Sequence, residues 1–559
     1  MSAPHDPRRL DMRTTRPLLA IAMGGALVLS ACSNSSDSPG SPDGNGTGAA
    51  TQSPGETGTA ELGEAGGTIT MAIGDDPGNL DPAMTVLQVT RGVGRMAYDS
   101  LVRTSPDGEI VPNLATEWEV TPTSVTFSLN PDATCADGTP FTATDAADNI
   151  SFIADPENAS PLLGIMVPTD ATASADDEAG TVTVEVSAPN AFLLSNLTSV
   201  FMVCRSGLDD RETLAQATAG TGPWVLEEAA PNDSYTFARN EDYSWGPRQE
   251  PFEGEGVPDT FVFRVIPNMT TTANLLLAGE VNIAGVSPGD EERVQAAGLD
   301  RYGAASPLGE TFFNQGPGHP GADPAVRKAL IAATDIEMVA AVGAGAAGQV
   351  STGLVTLEPK VCPGDTVSGN LPAYNVEAAN AMLDDAGWVR GADGIREKDG
   401  NRLSLKFIFA QRGGDELAAA AELLSQQWRE VGAEMSPSTI AATQLNEVLF
   451  ASGDWDAGWI PVTVDLPSQL LAFLSGPAAP DGTNFAHIDN ETYTAKSAEA
   501  NVQGEIEAAC ALWIEAETAL IQNVDVAPMF DIVASNYLNG VTLDAASGEI
   551  DGSSIRSTQ

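Results

Sequence analysis

From Gly285 to Gly289 the chain reads GVSPG, a serine between glycines at the spacing of a nucleophile elbow, with His319 and His487 downstream. In such an elbow the residue after the serine donates its backbone N–H to the developing oxyanion. Here that residue is Pro288, which has no N–H. Acyl transfer by this serine is therefore not expected. Metal chemistry has equally little support. Past residue 31 only two histidines remain, in separate segments, and no two cysteines lie within five residues of each other. That is not the spacing of a zinc site. Carboxylates are so numerous that clusters such as GDDP and DDEAG select nothing. The sequence predicts no catalysis, no cofactor and no metal. Its informative residues are an early cysteine, Cys32, and a stretch of aromatic and acidic residues, DWDAGWIPVTVDLPSQLLAFLSG, at 454–476.

Cys32 follows the layout of a secretory signal. Arg8, Arg9, Arg13 and Arg16 precede a mostly apolar run from Leu18 to Leu29, and Ser30 and Ala31 are small. The run is too short to span a membrane as a helix. Leu29-Ser30-Ala31-Cys32 resembles the bacterial lipobox, in which the cysteine is diacylated on sulfur and becomes the mature N-terminus. Residues 1–31 are thus expected to be a lipoprotein signal peptide, and Cys32 the site of lipidation. Residues 32–66 are dominated by Ser, Gly, Pro, Thr, Asp and Glu. Such a segment buries too little to offset its ordering entropy and is expected to be a disordered tether, about 30 Å from end to end.

The chain has 559 residues and a formal charge of −51; without the leader, which holds four basic and two acidic residues, the charge is −53. This argues against nucleic acid and anionic membrane surface as partners. Length allows two or three lobes with real cores. Cys135, Cys204, Cys362 and Cys510 form an even set that outside the membrane suggests disulfides, with three connectivities open.

Any binding residue must be held by regular elements, and these are legible. TITMAI, SVTFSL, TVTVEV, SYTFAR, TFVFRVI and RLSLKFIF alternate with period two and predict strands. In the last, Leu403, Leu405, Phe407 and Phe409 share one face. DPAVRKALIAATDIEMV predicts a helix capped by Asp323 with Pro324 in its first turn. NVEAANAMLDDAGW predicts one capped by Asn375 and ended by Gly387, and DELAAAAELLSQQWREVG one that stops at Gly432. EIEAACALWIEAETALIQ places Ile506, Cys510, Trp513 and Leu520 on one stripe. The chain reads as α/β.

Several segments, in order, resemble the solute-binding proteins of the oligopeptide/dipeptide/nickel family (family 5) of ABC importers. They are PGNLDPAM, then VPNLATEWEVTPTSVTFSLNPDATCADGTPFTATDAADNI, GTGPWVLEEAAPNDSYTFARNEDY, LLLAGEVNIA, FFNQG with DPAVRKALIAATD, ANAMLDDAGW and APMF. The resemblance covers about residues 67–540. It implies a two-lobed periplasmic-binding-protein type II fold with an inserted subdomain in lobe I. Mapped here, lobe I is 67–309 with the insert at about 99–205, lobe II is 310–533, and 534–559 return to lobe I. On that map Cys135 and Cys204 both fall in the insert, and Cys362 and Cys510 both fall in lobe II, which selects one pairing of the three.

The family places its ligand between the lobes. The resemblance makes Thr221 and Trp224 ligand-binding candidates from lobe I, and Trp459, Asp465, Asn484 and Phe485 from lobe II. Peptide-binding members carry an aspartate three residues after the tryptophan, paired with the peptide's α-ammonium; here that position is Val462. Asp465 is then expected to be the main charge selecting a cationic group. The implied function is capture of an oligopeptide-like or other small organic solute outside the cytoplasm. The implied partners are ABC permease subunits and the membrane, reached through the lipid anchor, with the protein itself a monomer. The alternative is a surface receptor of the same fold that does not transport.

Overall fold

TITMAI forms the strand Thr68–Ile73, parallel to Thr260–Val265 on one side and to Ile283–Gly285 on the other. These three lie inside an eight-stranded sheet. Across it the order is Asp300–Pro307, Phe530–Leu538, Ile283–Gly285, Thr68–Ile73, Thr260–Val265, Ser234–Arg239 and Trp224–Ala230. Gly348–Val350 adds alongside Phe530–Leu538. Alternate residues Tyr235, Phe237, Phe261 and Phe263 are buried, as a strand period of two requires. The protein is described by a computed structural model covering residues 61–559 except 346–347, 411–413 and 547. The expected signal peptide, Cys32 and tether residues up to 60 lie outside the described residues.

A second sheet runs in the order Glu434–Ile440, Ser404–Ala410, Ala457–Trp459, Glu310–Phe313 and Val526–Pro528. Leu403, Leu405, Phe407 and Phe409 are all buried in its core, beside Leu417, Leu424 and Trp428 of the helix Gly414–Glu430. A third, four-stranded sheet orders Ala115–Thr121, Ser124–Leu129, Thr181–Glu185 and Thr172–Asp176. Cys135 is bonded to Cys204, and Cys362 to Cys510, with Cα separations of 6.1 and 5.1 Å.

The chain passes between the first two sheets at two adjacent points, after Pro307 and after Pro528. There Gly309 N donates to Phe530 O at 2.8 Å and Met529 N donates to Gly309 O at 3.1 Å. A Cβ on Gly309 would lie 2.2 Å from the Phe530 ring, so only glycine fits this crossing. Buried Arg327 and Asp525, 2.8 Å apart, tie a helix of the second half to the segment leading into this crossing.

Helix ends follow the predicted caps. Asp323 accepts from Ala325 N and Asn375 from Ala378 N. Gly387 and Gly432 take positive φ at 84° and 85°. Three expectations are corrected. The helix expected across DPAVRKALIAATDIEMV is two, Pro324–Ala332 and Ile336–Gly343, because Thr334 bonds back to Leu330 O and Asp335 caps a new start on Met338 N. Ile506 is 44% exposed, since it opens the helix Ile506–Asn523 beyond the edge of the core that takes Cys510, Trp513 and Leu520. Residues 61–66, expected within the tether, are ordered. Gly63 N donates to Ser557 O, Gly66 N to Val257 O, and Gln559 N to Glu61 O. Their partners lie hundreds of residues away, where local composition gives no signal.

Candidate functional site

The helix Gln88–Ala97, QVTRGVGRMA, buries Val93, Met96 and Ala97 and ends where Tyr98 turns extended. Arg91 and Arg95, four residues apart, share one face of this helix. Arg91 is 5% exposed. Both guanidiniums lie over the ring of Phe201, at 4.8 Å for Arg91 and 5.2 Å for Arg95, a cation–π arrangement strengthened by desolvation. Arg91 Nη2 donates to Ser199 O at 2.5 Å, while Nη1 finds no hydrogen-bond partner among the described residues. Arg95 pairs with Glu549, from the C-terminal hairpin Ala545–Ala546 and Glu549–Ile550. Beside them Arg103 pairs with Asp551 at 3.3 Å.

Asp465 faces this cluster from the loop that follows strand Ala457–Trp459. Its backbone N–H donates to Gln469 Oε1 at 3.1 Å, and Gln469 Nε2 in turn donates to Asn196 Oδ1 at 3.4 Å, across to the other half. Burial pushes the Asp465 carboxyl up to about 6, with Glu549 adding to the rise and Arg95 and Arg91 opposing it. Burial likewise lowers Arg91 to about 10, against the pull of Glu549 and Asp465. Two cations and two carboxyls from separate parts of the chain thus meet where water is scarce, and each polar contact there counts for more than in bulk solvent.

Of the six ligand-binding residues expected from sequence, Asp465 alone joins this cluster. Thr221 is fully buried and donates through Oγ1 to Asp99 Oδ2 at 3.0 Å; Trp224 Nε1 donates to Gly552 O at 2.9 Å. Asp99 and Gly552 line a narrow cavity with Arg95, Arg103, Phe201 and Asp551, so Thr221 and Trp224 stand one layer behind its wall. Trp459 is buried among Phe407 and Phe530, with ring centroids at 5.1 and 5.5 Å. Asn484 staples its own loop, donating to Ile488 O and accepting from Ile488 N. Phe485 packs on Phe312 with centroids 5.0 Å apart. All three aromatics expected as ligand contacts, Trp224, Trp459 and Phe485, are buried.

Arg91, Arg95 and Glu310 were missed. The two arginines had a signal: an i,i+4 pair inside a helix otherwise fit for burial, in a chain with only 26 basic residues. Glu310 had none. It is 1% exposed; its Oε2 accepts from Val462 N at 2.7 Å and its backbone oxygen accepts from Ile460 N at 3.0 Å. Burial, with Asp531 and Glu517 nearby, holds its carboxyl well above the ordinary range. Of the elbow motif, Ser287 caps the helix Pro288–Gln295, and its hydroxyl donates to Asp290 Oδ2 at 2.9 Å. His319 Nδ1 instead lies 2.8 Å from Asp456.

Residues 109–481 match the model of the bacterial extracellular solute-binding proteins, family 5. The chain belongs to that family. It is similar to the nickel-binding periplasmic protein of Escherichia coli (strain K12), 27% identical over 409 residues, 70% of this chain and 74% of that protein. It is also similar to the periplasmic murein peptide-binding protein MppA of the same organism, 24% identical over 501 residues, 84% and 87%. Among solved structures it resembles a substrate binding protein from Microbacterium hydrocarbonoxydans complexed with 4-hydroxybenzoate hydrazide, with a TM-score of 0.74 at 25% identity, covering 88% of this chain and all of that one. The family 5 fold is two-lobed and of periplasmic-binding-protein type II with an inserted subdomain, as the sequence predicts. Among the described residues no helix is long and apolar enough to cross a membrane.

Proposed function

We propose that this family 5 protein is an extracytoplasmic, lipid-anchored solute-binding protein of an ABC importer. In this reading lobe I comprises 67–309 and 534–559 and lobe II comprises 310–533. The lobes close on an oligopeptide-like or other small organic solute, and the closed form is what the permease engages. The protein acts as a monomer, performs no chemistry on its cargo, and is held at the membrane by lipidated Cys32. The observation that carries this reading is the meeting of Arg91 and Arg95, from the helix Gln88–Ala97, and Glu549, from the C-terminal hairpin, with Asp465, from the loop that follows the strand Ala457–Trp459 of the second sheet. Buried charge is costly unless something pairs with it, and a polar cluster at a junction of lobes is where a captured solute supplies the missing partners. Native mass spectrometry of the mature chain purified from its source organism tests it. A retained small molecule is expected, and protein that is bare in every preparation would contradict it.

A further inference from the structure

We propose that Phe192 is a latch: it belongs to one half of the protein, seats in the apolar core of the other half when the two close, and so sets how tightly any solute is held. This rests on the proposed solute-binding function and adds to it an affinity-determining residue outside the charged cluster. Phe192 is 3% exposed. It belongs to an apolar cluster with Leu354, Leu466, Leu470 and Trp513, in which every other buried member lies between Phe312 and Val526. Ala191, next to it in the chain, is half-buried against the same cluster. Yet Phe192 lies in the stretch 67–309, whose own core takes Leu193 and Leu197 instead.

The short helix Leu193–Leu197 accounts for this division. Leu193 and Leu197, four residues apart, share one face and bury in the core of their own half. Phe192 and Asn196 have the same spacing one residue earlier, and Asn196 N donates to Phe192 O at 2.8 Å. Both side chains reach across, Phe192 into the apolar cluster and Asn196 to Gln469 Nε2 at 3.4 Å. Beside them Asn190 N donates to Pro122 O at 2.8 Å, and Pro122 stands against Gly504, on which an added Cβ would lie 3.1 Å from it. To admit solute the halves part, and Phe192 then passes from an apolar core into water. The cost grows with the apolar area exposed, whatever the solute is. The latch therefore favours the closed form uniformly. Specificity stays with Arg91, Arg95, Glu549 and Asp465, whose burial on closing opposes the latch until a solute completes their pairing. Apparent affinity follows the ease of reaching the closed form, so losing the latch weakens retention about tenfold to a hundredfold.

The test uses the full mature chain, freed of solute by unfolding in guanidinium chloride and refolding with its disulfides intact. The probe is the sub-kilodalton fraction of an extract of the source cells. The melting temperature is followed against extract concentration for the native chain, Phe192→Ala, Phe192→Leu and the control Val389→Ala, whose side chain is 70% exposed. Phe192→Ala is expected to need at least about tenfold more extract than the native chain for the same rise. Phe192→Leu, which keeps most of the apolar area, should fall between them, and Val389→Ala should match the native chain. Without extract, the urea midpoint of Phe192→Ala should equal that of the native chain, because the open form already leaves this side chain in water. Equal extract demand in Phe192→Ala and the native chain would overturn the latch and leave solute capture standing. So would a lower extract-free midpoint with that demand unchanged, the mark of an ordinary packing residue. No rise in the native chain at any extract concentration would overturn both.

Discussion

The Arg91 guanidinium lies 4.8 Å over the centre of the Phe201 ring and donates from Nη2 to the carbonyl of Ser199, two residues before that ring. One helix side chain thereby clamps the backbone and the ring of a loop that belongs to a different part of the chain. Replacing Phe201 with leucine removes the cation–π contact to both arginines while keeping an apolar side chain. Stability is expected to fall by about 1–2 kcal/mol in urea unfolding, and a value near zero would mean the rings and guanidiniums are merely adjacent.

The buried acids set the response to pH. Burial pushes Asp531 up to about 6, and Glu310 stands well above the ordinary carboxylate range. Both hold protons in the folded state at pH values where the unfolded chain has released them. Stability contributed by Asp531 is therefore full below about pH 4 and is lost as pH rises through about 6, and that from Glu310 is lost in the same direction as pH rises through its raised value. Asp531→Asn, which can still accept from Ser351, should be more stable than the native chain at pH 7 by about 2–3 kcal/mol. The two should converge near pH 4. Parallel stability curves for the two proteins would contradict the placement of this carboxyl.

At the crossing between the sheets, Gly309→Ala puts a methyl group 2.2 Å from the Phe530 ring. The ring or the strand must move, at a cost of about 1–3 kcal/mol, read as a lower midpoint in denaturant with an unchanged slope.

Cys32→Ala should release the protein into the soluble fraction, because the proposed anchor is one modified residue. A mutant that stays in the membrane after a carbonate wash would remove the lipoprotein from the account.

Much of the fold was legible because its signals are local. Period two in SYTFAR and TFVFRVI, and caps at Asp323 and Asn375, are decided within a few residues. The ordered set of family segments then pointed to the fold class. The site was less legible. Asp465 was singled out through the loop it occupies, but its neighbours Arg91 and Arg95 lie hundreds of residues before it and Glu549 lies in the C-terminal hairpin, and only the folded chain shows that they face it. Trp459 and Phe485 are ambiguous for the converse reason. An aromatic residue fits a cleft wall and a core equally well by type, and here both pack against the aromatics Phe407, Phe530 and Phe312.

In the proposed function solute sits between two halves that must part to admit it, and Asn196 and Gln469 offer a direct test. Their side chains meet at 3.4 Å across those halves. In Asn196→Cys/Gln469→Cys the two thiols can be joined by a short bismaleimide after the protein is purified with its solute bound. Solute release is then followed by native mass spectrometry during dialysis, with the unlinked double mutant alongside. The unlinked protein is expected to empty and take up solute again, while the linked protein keeps what it holds and, if emptied before linking, takes up none. Equal release and uptake with and without the link would contradict it.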